Sequence, residues 1–415
     1  MNLRIRYAVL FLLTCLVHAT FAQTTDWSGR WSGTFTLNGT AERMALSLSR
    51  ENTTWNSSLE LRLDGQQRTP EVSDLRISGE DISFTVALVG RIAKFIGKVE
   101  GETLTGTVEA FQGEQKVGSG TFTLKRGARE APANTGQRAD PNFDVRVAKP
   151  AYSKNGPRVL FDEAHNNFHT AGGRYKPFAD LIVSDGYRVI PNKEKFSSEV
   201  LQRADVLIIA NALGAERMGS PEASQPAFTD DESDAVKEWV RRGGSLLLIA
   251  DHAPMGSANQ ILGERFGIDM SKKYTVDPEN FDTASGNQGF IVYTRESGRL
   301  ADHPVTKGRN NSERINKVIA FTGQSLKGPV DSVAFMRLAD SAKDVLAQQT
   351  PVSAAGRAQG IALKFGKGRV IVMGEAGMLT AQVVGAQASP FGMNIPGIDN
   401  RQLVLNMMHW LTHKL

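Results

Sequence analysis

Trp239-Val240-Arg241-Arg242-Gly243-Gly244-Ser245-Leu246-Leu247-Leu248-Ile249-Ala250-Asp251-His252 is the stretch on which the fold turns. Upstream, Thr229 followed three residues later by Glu232 has the spacing of a capping box and starts a helix that runs to Arg241. Arg241 and Arg242 fall in its last turn, where cations complement the helix dipole. The two glycines stop the helix. The uncharged run 245–250 then reads as a strand buried on both faces, the texture of a parallel sheet. At its carboxyl end it delivers a carboxylate and an imidazole, Asp251 and His252.

The same texture recurs on both sides. Apolar runs at 158–161, 187–190, 205–210, 317–321 and 369–373 alternate with helical segments, and a helix over about 400–411 closes the chain. This alternation predicts a doubly wound α/β domain of flavodoxin-like type over residues 157–415. In such sheets ligands bind beyond the carboxyl ends of the strands. There the first strand runs into Asp162-Glu163-Ala164-His165-Asn166-Asn167-Phe168-His169, the third into Asn211, the fourth into Asp251-His252 and a late one into Gly374-Glu375.

Asp251, His252, His165 and Glu375 are therefore the candidate catalytic residues, and Asp162, Glu163, Asn166, Asn167, His169, Asn211 and His303 the candidate binding residues. Imidazoles and carboxylates suit general acid–base chemistry near neutral pH. They suit a divalent metal as well, for which His165, His169, Asp251 and His252 are the candidate ligands. Taken singly, each has a structural alternative: Asp and Asn after strands cap helices, and His303 in Asp302-His303-Pro304-Val305 fits a packed turn. Phosphate-loop and dinucleotide signals are missing, because Gly243-Gly244 precedes its strand where a fingerprint follows one. Residues of about 254–300 read as a long insertion over the strand ends, where specificity elements and lids are carried.

Residues 23–126 have another texture. Runs such as Ser57-Ser58-Leu59-Glu60-Leu61-Arg62-Leu63 and Ile82-Ser83-Phe84-Thr85-Val86 alternate with a period of two between glycine turns, which predicts a small all-β barrel or sandwich. It has no histidine, and Trp31 and Trp55 read as core, so an accessory or docking role fits it best. Residues 127–156, aperiodic and rich in alanine, proline and polar side chains, read as a linker. Residues 1–22 carry Arg4 and Arg6, an apolar run and small residues up to Ala22, the pattern of a cleavable signal peptide. The expectation is a periplasmic or secreted protein with no membrane span after cleavage. The only cysteine, Cys15, lies within that segment, so the remainder has neither disulfide nor thiol nucleophile. A formal charge of +4, half of it from Arg4 and Arg6, gives no case for nucleic acid.

The helix–Gly-Gly–strand–elbow around Asp251 resembles that of the class I glutamine amidotransferase-like superfamily. His303-Pro304-Val305-Thr306-Lys307-Gly308 resembles the His-Pro segment of its trehalose-utilisation-type and uncharacterised branches, and the stretches 366–370 and 400–406 are similar too. This resemblance covers roughly 157–415 and implies the fold and the place of the pocket. In true amidotransferases of this type a cysteine occupies the elbow. Asp251-His252 stands there instead, so thiol-dependent glutaminase chemistry is not expected, and Ser257 lacks a Gly-x-Ser-x-Gly context. Gly29-Arg30-Trp31-Ser32-Gly33 and Gly118-Ser119-Gly120-Thr121-Phe122 resemble the ends of a lipocalin-like barrel. Two functions stay open: a hydrolase-type enzyme acting on a polar or carbohydrate-derived substrate through the His/Asp/Glu cluster, and a non-catalytic ligand- or glycan-binding protein using the same pocket.

Overall fold

Period-two alternation builds the first half of the protein. In the computed structural model, which describes residues 26–51, 54–63, 66–88, 91–127, 137–385 and 388–415, the strand Arg91–Glu100 buries Ala93, Phe95, Gly97 and Val99 and exposes the residues between them. The expected signal peptide lies outside the described residues. The chain divides into two units, Met1–Ala133 and Asn134–Leu415.

In the first unit, β1 (Gly29–Leu37), β2 (Thr40–Glu51), β3 (Thr54–Leu63), β4 (Gln66–Arg68), β5 (Val72–Ser78), β6 (Asp81–Leu88), β7 (Arg91–Glu100), β8 (Thr103–Gln112) and β9 (Gln115–Arg126) form one antiparallel sheet. Their order is β4-β3-β2-β1-β9-β8-β7-β6-β5, and the sheet curls into a nearly closed barrel-like shape. Of the two expected architectures, barrel and sandwich, the structure shows the first. Trp27, Trp31, Phe84, Phe95 and Phe122 fill the interior, with the rings of Phe84 and Phe95 stacked at 4.8 Å. Trp31 is core as expected, whereas Trp55 is half-buried with the Arg50 guanidinium 5.6 Å over its ring.

The second unit is built on apolar runs rather than alternation. β10 (Arg158–Asp162), β11 (Arg188–Asn192), β12 (Val206–Ala210), β13 (Ser245–Ile249) and β15 (Gly368–Met373) are parallel, and β14 (Ala358–Phe365) pairs antiparallel with β15. The order is β11-β10-β12-β13-β15-β14, extended by Leu326–Lys327 and Asp269–Met270. Both faces of these strands are covered. Val159, Phe161, Val206, Ile208, Leu247, Ile249, Ile371 and Met373 share one core with α1 (Lys176–Ser184) and the terminal helix. Leu160, Leu207, Ile209, Leu246, Leu248, Val370 and Val372 share the other with α2 (Ser198–Leu201), α3 (Asp230–Arg242) and α4 (Met255–Glu264). Each fully buried Leu, Ile or Val contributes about 1.5–3 kcal/mol relative to an exposed one. These runs are therefore the main source of the unit's stability. Pro304–Lys307 forms α5, and α6 spans Asn400–Leu411.

The expected capping box starts α3, with Thr229 Oγ1 accepting from Glu232 N and Glu232 Oε2 accepting from Thr229 N. Gly243 ends it at φ 127°, a conformation that favours glycine. Two expectations need correction. The second half of the expected linker belongs to the larger unit: Arg138–Ala139 pairs with Gln382 and Val383, and Ala151 N donates to the buried Asp185 carboxylate at 2.8 Å. It reads as linker because its anchoring partners lie far away in sequence. The expected insertion over the strand ends begins instead with core structure, because α4 buries Met255, Ala258 and Leu262 and Asp269–Met270 joins the sheet.

Candidate functional site

β13 and β15 lie side by side in parallel register, Ile249 opposite Met373. Each continues two residues beyond that pair to a carboxylate, so Asp251 and Glu375 reach the same level on adjacent strands, which in a sheet run about 4.8 Å apart. Ala250 N still donates to Met373 O at 3.0 Å, keeping the extensions aligned. Asp251 is 8% exposed and Glu375 not at all. Asp251 Oδ1 accepts from His252 N at 2.8 Å. Glu375 accepts from Gly377 N at 2.5 Å and Met378 N at 2.7 Å. Burial nevertheless holds both carboxyls well above the usual range, and the Asp251 charge adds to the rise at Glu375. The Asp251 charge opposes ionisation of Glu375, so the two carboxyls titrate as a pair.

Around the pair stand the groups that position it. Asn211, in the left-handed region at φ 54°, accepts from Asp251 N through Oδ1 at 2.9 Å and contacts His169 Nδ1 through Nδ2 at 3.1 Å. His169 packs against the Tyr175 ring at 4.8 Å, and the Tyr175 hydroxyl donates to Ala376 O at 2.7 Å. Burial, with a smaller effect from Arg174, pushes His169 down to about 3. His252 is half-buried, stacks on Tyr274 at 4.3 Å and is lowered by burial. Gln324 Nε2 donates to Ala250 O and Asp251 O, fixing the backbone that carries the carboxylate. Gly323 leaves no room for a side chain: a Cβ there would meet Gly374 O at 2.2 Å and Glu375 Cβ at 2.7 Å.

Asp251, Glu375, His252, His169 and Asn211 thus form one neighbourhood. His165 stands apart, its Nδ1 2.9 Å from both Asp162 oxygens and its Nε2 2.9 Å from Glu232 Oε1, between the rings of Phe196 and Phe228. Neither ring nitrogen is left for a substrate or metal. It ties the end of β10 to the start of α3. Asp162, Glu163, Asn166 and Asn167 serve the same loop: Asn167 bridges Asp162 Oδ2 and His165 N, Glu163 accepts from Ala171 N, and Asn166 Nδ2 donates to Leu213 O. His303 is the N-cap of α5, accepting from Val305 N and packing on Trp410, with burial pushing it down to about 4.

The four candidate metal ligands are only partly brought together. Among the described residues no three His, Cys, Asp or Glu side chains converge in a group that could hold a metal. His165 is fully engaged, and His252 Nδ1 lies 2.7 Å from Ala253 O. Tyr175, Gln324 and Glu232 were not anticipated. Tyr175 and Gln324 carry no charge to mark them, and the capping-box spacing by itself accounts for Glu232. Cavities among the described residues lie elsewhere too. One of about 440 Å³ is lined by Arg30, Ser32, Thr34, Arg43 and Glu60 of the first unit, and one of about 610 Å³ by Asp140, Phe143, Arg146, Asn394 and Arg401 of the second. No helix among the described residues is long and apolar enough to cross a membrane.

No protein-family model matches the chain. Nor does any curated protein. Among solved structures it is similar to the mmIFT52 N-terminal domain, at 14% identity and a TM-score of 0.44, over 61% of this chain and 97% of that one. A cytoplasmic protein from Salmonella typhimurium LT2 follows at 12% identity and a TM-score of 0.31, covering 61% and 95%. An exo-β-1,4-mannosidase from Opitutaceae bacterium strain TAV5 has 11% identity and a TM-score of 0.28, covering 55% and 31%. At these values none of them assigns a fold or an activity to this chain.

Proposed function

We propose that the larger unit is a hydrolase-type enzyme for a polar or carbohydrate-derived substrate, with its acid–base centre at Asp251, Glu375 and His252. The observation that carries this reading is the buried carboxylate pair, set at the same level on adjacent parallel strands, with burial raising both carboxyls above their usual range. A proton kept on a buried carboxyl is available to a leaving group, and a neutral histidine beside it can take one from water. The parallel order β11-β10-β12-β13-β15 with helices on both faces supports a doubly wound, glutamine-amidotransferase-like domain whose thiol is replaced by Asp251 and His252. The pattern of residues 1–22 supports export, and the barrel-like unit fits an accessory role.

The test is release of nitrophenol from a panel of p-nitrophenyl glycosides and esters by the wild type, Asp251→Asn, Glu375→Gln and the control His413→Asn. Turnover by the wild type and control that falls at least about 100-fold in the Asp251 and Glu375 variants is expected, the range of a lost acid–base group. Turnover unchanged in Asp251→Asn would overturn the assignment. One observation favours the second reading, a ligand- or glycan-binding protein: Glu375 is wholly buried and its carboxylate already accepts two backbone N–H groups. A wild type inert on the panel, yet stabilised against heat by a soluble oligosaccharide, would favour binding.

A further inference from the structure

The two histidines beside the carboxylate pair are not equivalent, and the hydrogen bonds on their Nδ1 atoms say how. Asp251 N can only donate, so the Asn211 atom facing it at 2.9 Å is the amide oxygen. The Asn211 amide group facing His169 Nδ1 at 3.1 Å is then the NH2, which can only donate. His169 Nδ1 must accept, and the ring proton sits on Nε2. At His252 the partner is reversed. Ala253 O, 2.7 Å from Nδ1, can only accept, so His252 carries a proton on Nδ1, and in the neutral ring Nε2 is then the bare lone pair. Neither Nε2 is paired with a described residue.

We infer that Asn211 and Ala253 lock His169 and His252 into opposite neutral tautomers, making His169 a pure hydrogen-bond donor and His252 the acceptor of the site. Asn211 is the positioning residue, since it holds both Asp251 and His169. This deepens the acid–base reading and rests on it for the roles: His252 Nε2 takes the proton of a water or substrate hydroxyl, and His169 Nε2–H serves only as a donor to an oxygen. Burial lowers both rings, which favours their neutral forms, and the accepting Nδ1 of His169 itself requires one.

The test is long-range proton–nitrogen NMR of the full ¹⁵N-labelled chain at pH 7, with the two rings assigned by His169→Gln and His252→Gln. The expected result is a proton on Nε2 of His169 and on Nδ1 of His252. In Asn211→Asp, which offers His169 only acceptor oxygens, its proton should move to Nδ1 while that of His252 stays. An Asn211 that merely packs would leave both rings unchanged, which overturns the inference. If Asn211→Asp does not fold, the wild type still decides, because a bare Nε2 on His169 or a bare Nδ1 on His252 overturns it alone. The NMR result does not depend on turnover, so a failed activity screen and a wrong tautomer are separate outcomes.

Discussion

At the scale of single residues, His165 and Asp251 are both buried polar groups, yet they differ in what surrounds them. His165 has a carboxylate on each ring nitrogen, and removing it would leave Asp162 and Glu232 without that partner. Leaving a buried acceptor short of a hydrogen-bond partner costs about 1–3 kcal/mol, and here there are two. His165→Ala is therefore expected to lose about 3 kcal/mol in urea unfolding, and a loss below about 1 kcal/mol would refute the clamp. Asp251 carries the opposite liability. Its pKa is raised, so between the ordinary carboxylate value near 4 and its folded value the native state keeps a proton that the unfolded chain gives up. Its contribution to stability thus falls as pH rises through that window. His169, pushed down to about 3, has the reverse slope and loses stability as pH falls from about 6.5. Asp251→Asn removes the first effect together with the part of the Glu375 rise that the Asp251 charge supplies, so its melting temperature should gain on the wild type between pH 5 and pH 7.5. A constant difference would show that the carboxyl is ionised throughout.

Elements show which parts of this site the sequence made legible and which it hid. The end of α3 and the start of β13 were readable because capping box, paired glycines and uncharged run agree at every level. Thr229→Ala removes the side-chain half of that box and should cost about 1 kcal/mol. Thr229→Ser, which keeps the hydroxyl, should cost much less, and equal losses would mean that packing rather than capping holds the helix start. Asp251 and Glu375 were readable too, since each stands two residues beyond the matched end of a parallel strand. The role of His165 was hidden because its Glu232 partner is 67 residues away. The helix α4 was hidden as well: Met-Gly-Ser-Ala-Asn-Gln has no strong apolar stripe, and tertiary bonds hold it, with Asn259 Nδ2 donating to Ala212 O.

Across the whole molecule, the two textures of the sequence became two units with separate cores, but the boundary between them lies earlier than composition suggests. Residues 137–156 have no periodic pattern, yet Phe143, Val145, Val147 and Tyr152 pack on the core of the larger unit. The Tyr152 ring meets that of Tyr187 at 5.2 Å. Most telling is Asp185, a fully buried carboxylate that accepts from Ala151 N at 2.8 Å and contacts His409 Nε2 at 2.7 Å. A fragment beginning at residue 157 exposes the apolar face under Tyr152 and strips Asp185 of a donor, which costs about 1–3 kcal/mol for the hydrogen bond alone. For a domain of this size each kcal/mol shifts the midpoint by about 2–4 °C. The fragment 134–415 is therefore expected to melt cooperatively and at least about 4 °C above the fragment 157–415. Equal midpoints in circular dichroism would return residues 137–156 to the status of a linker.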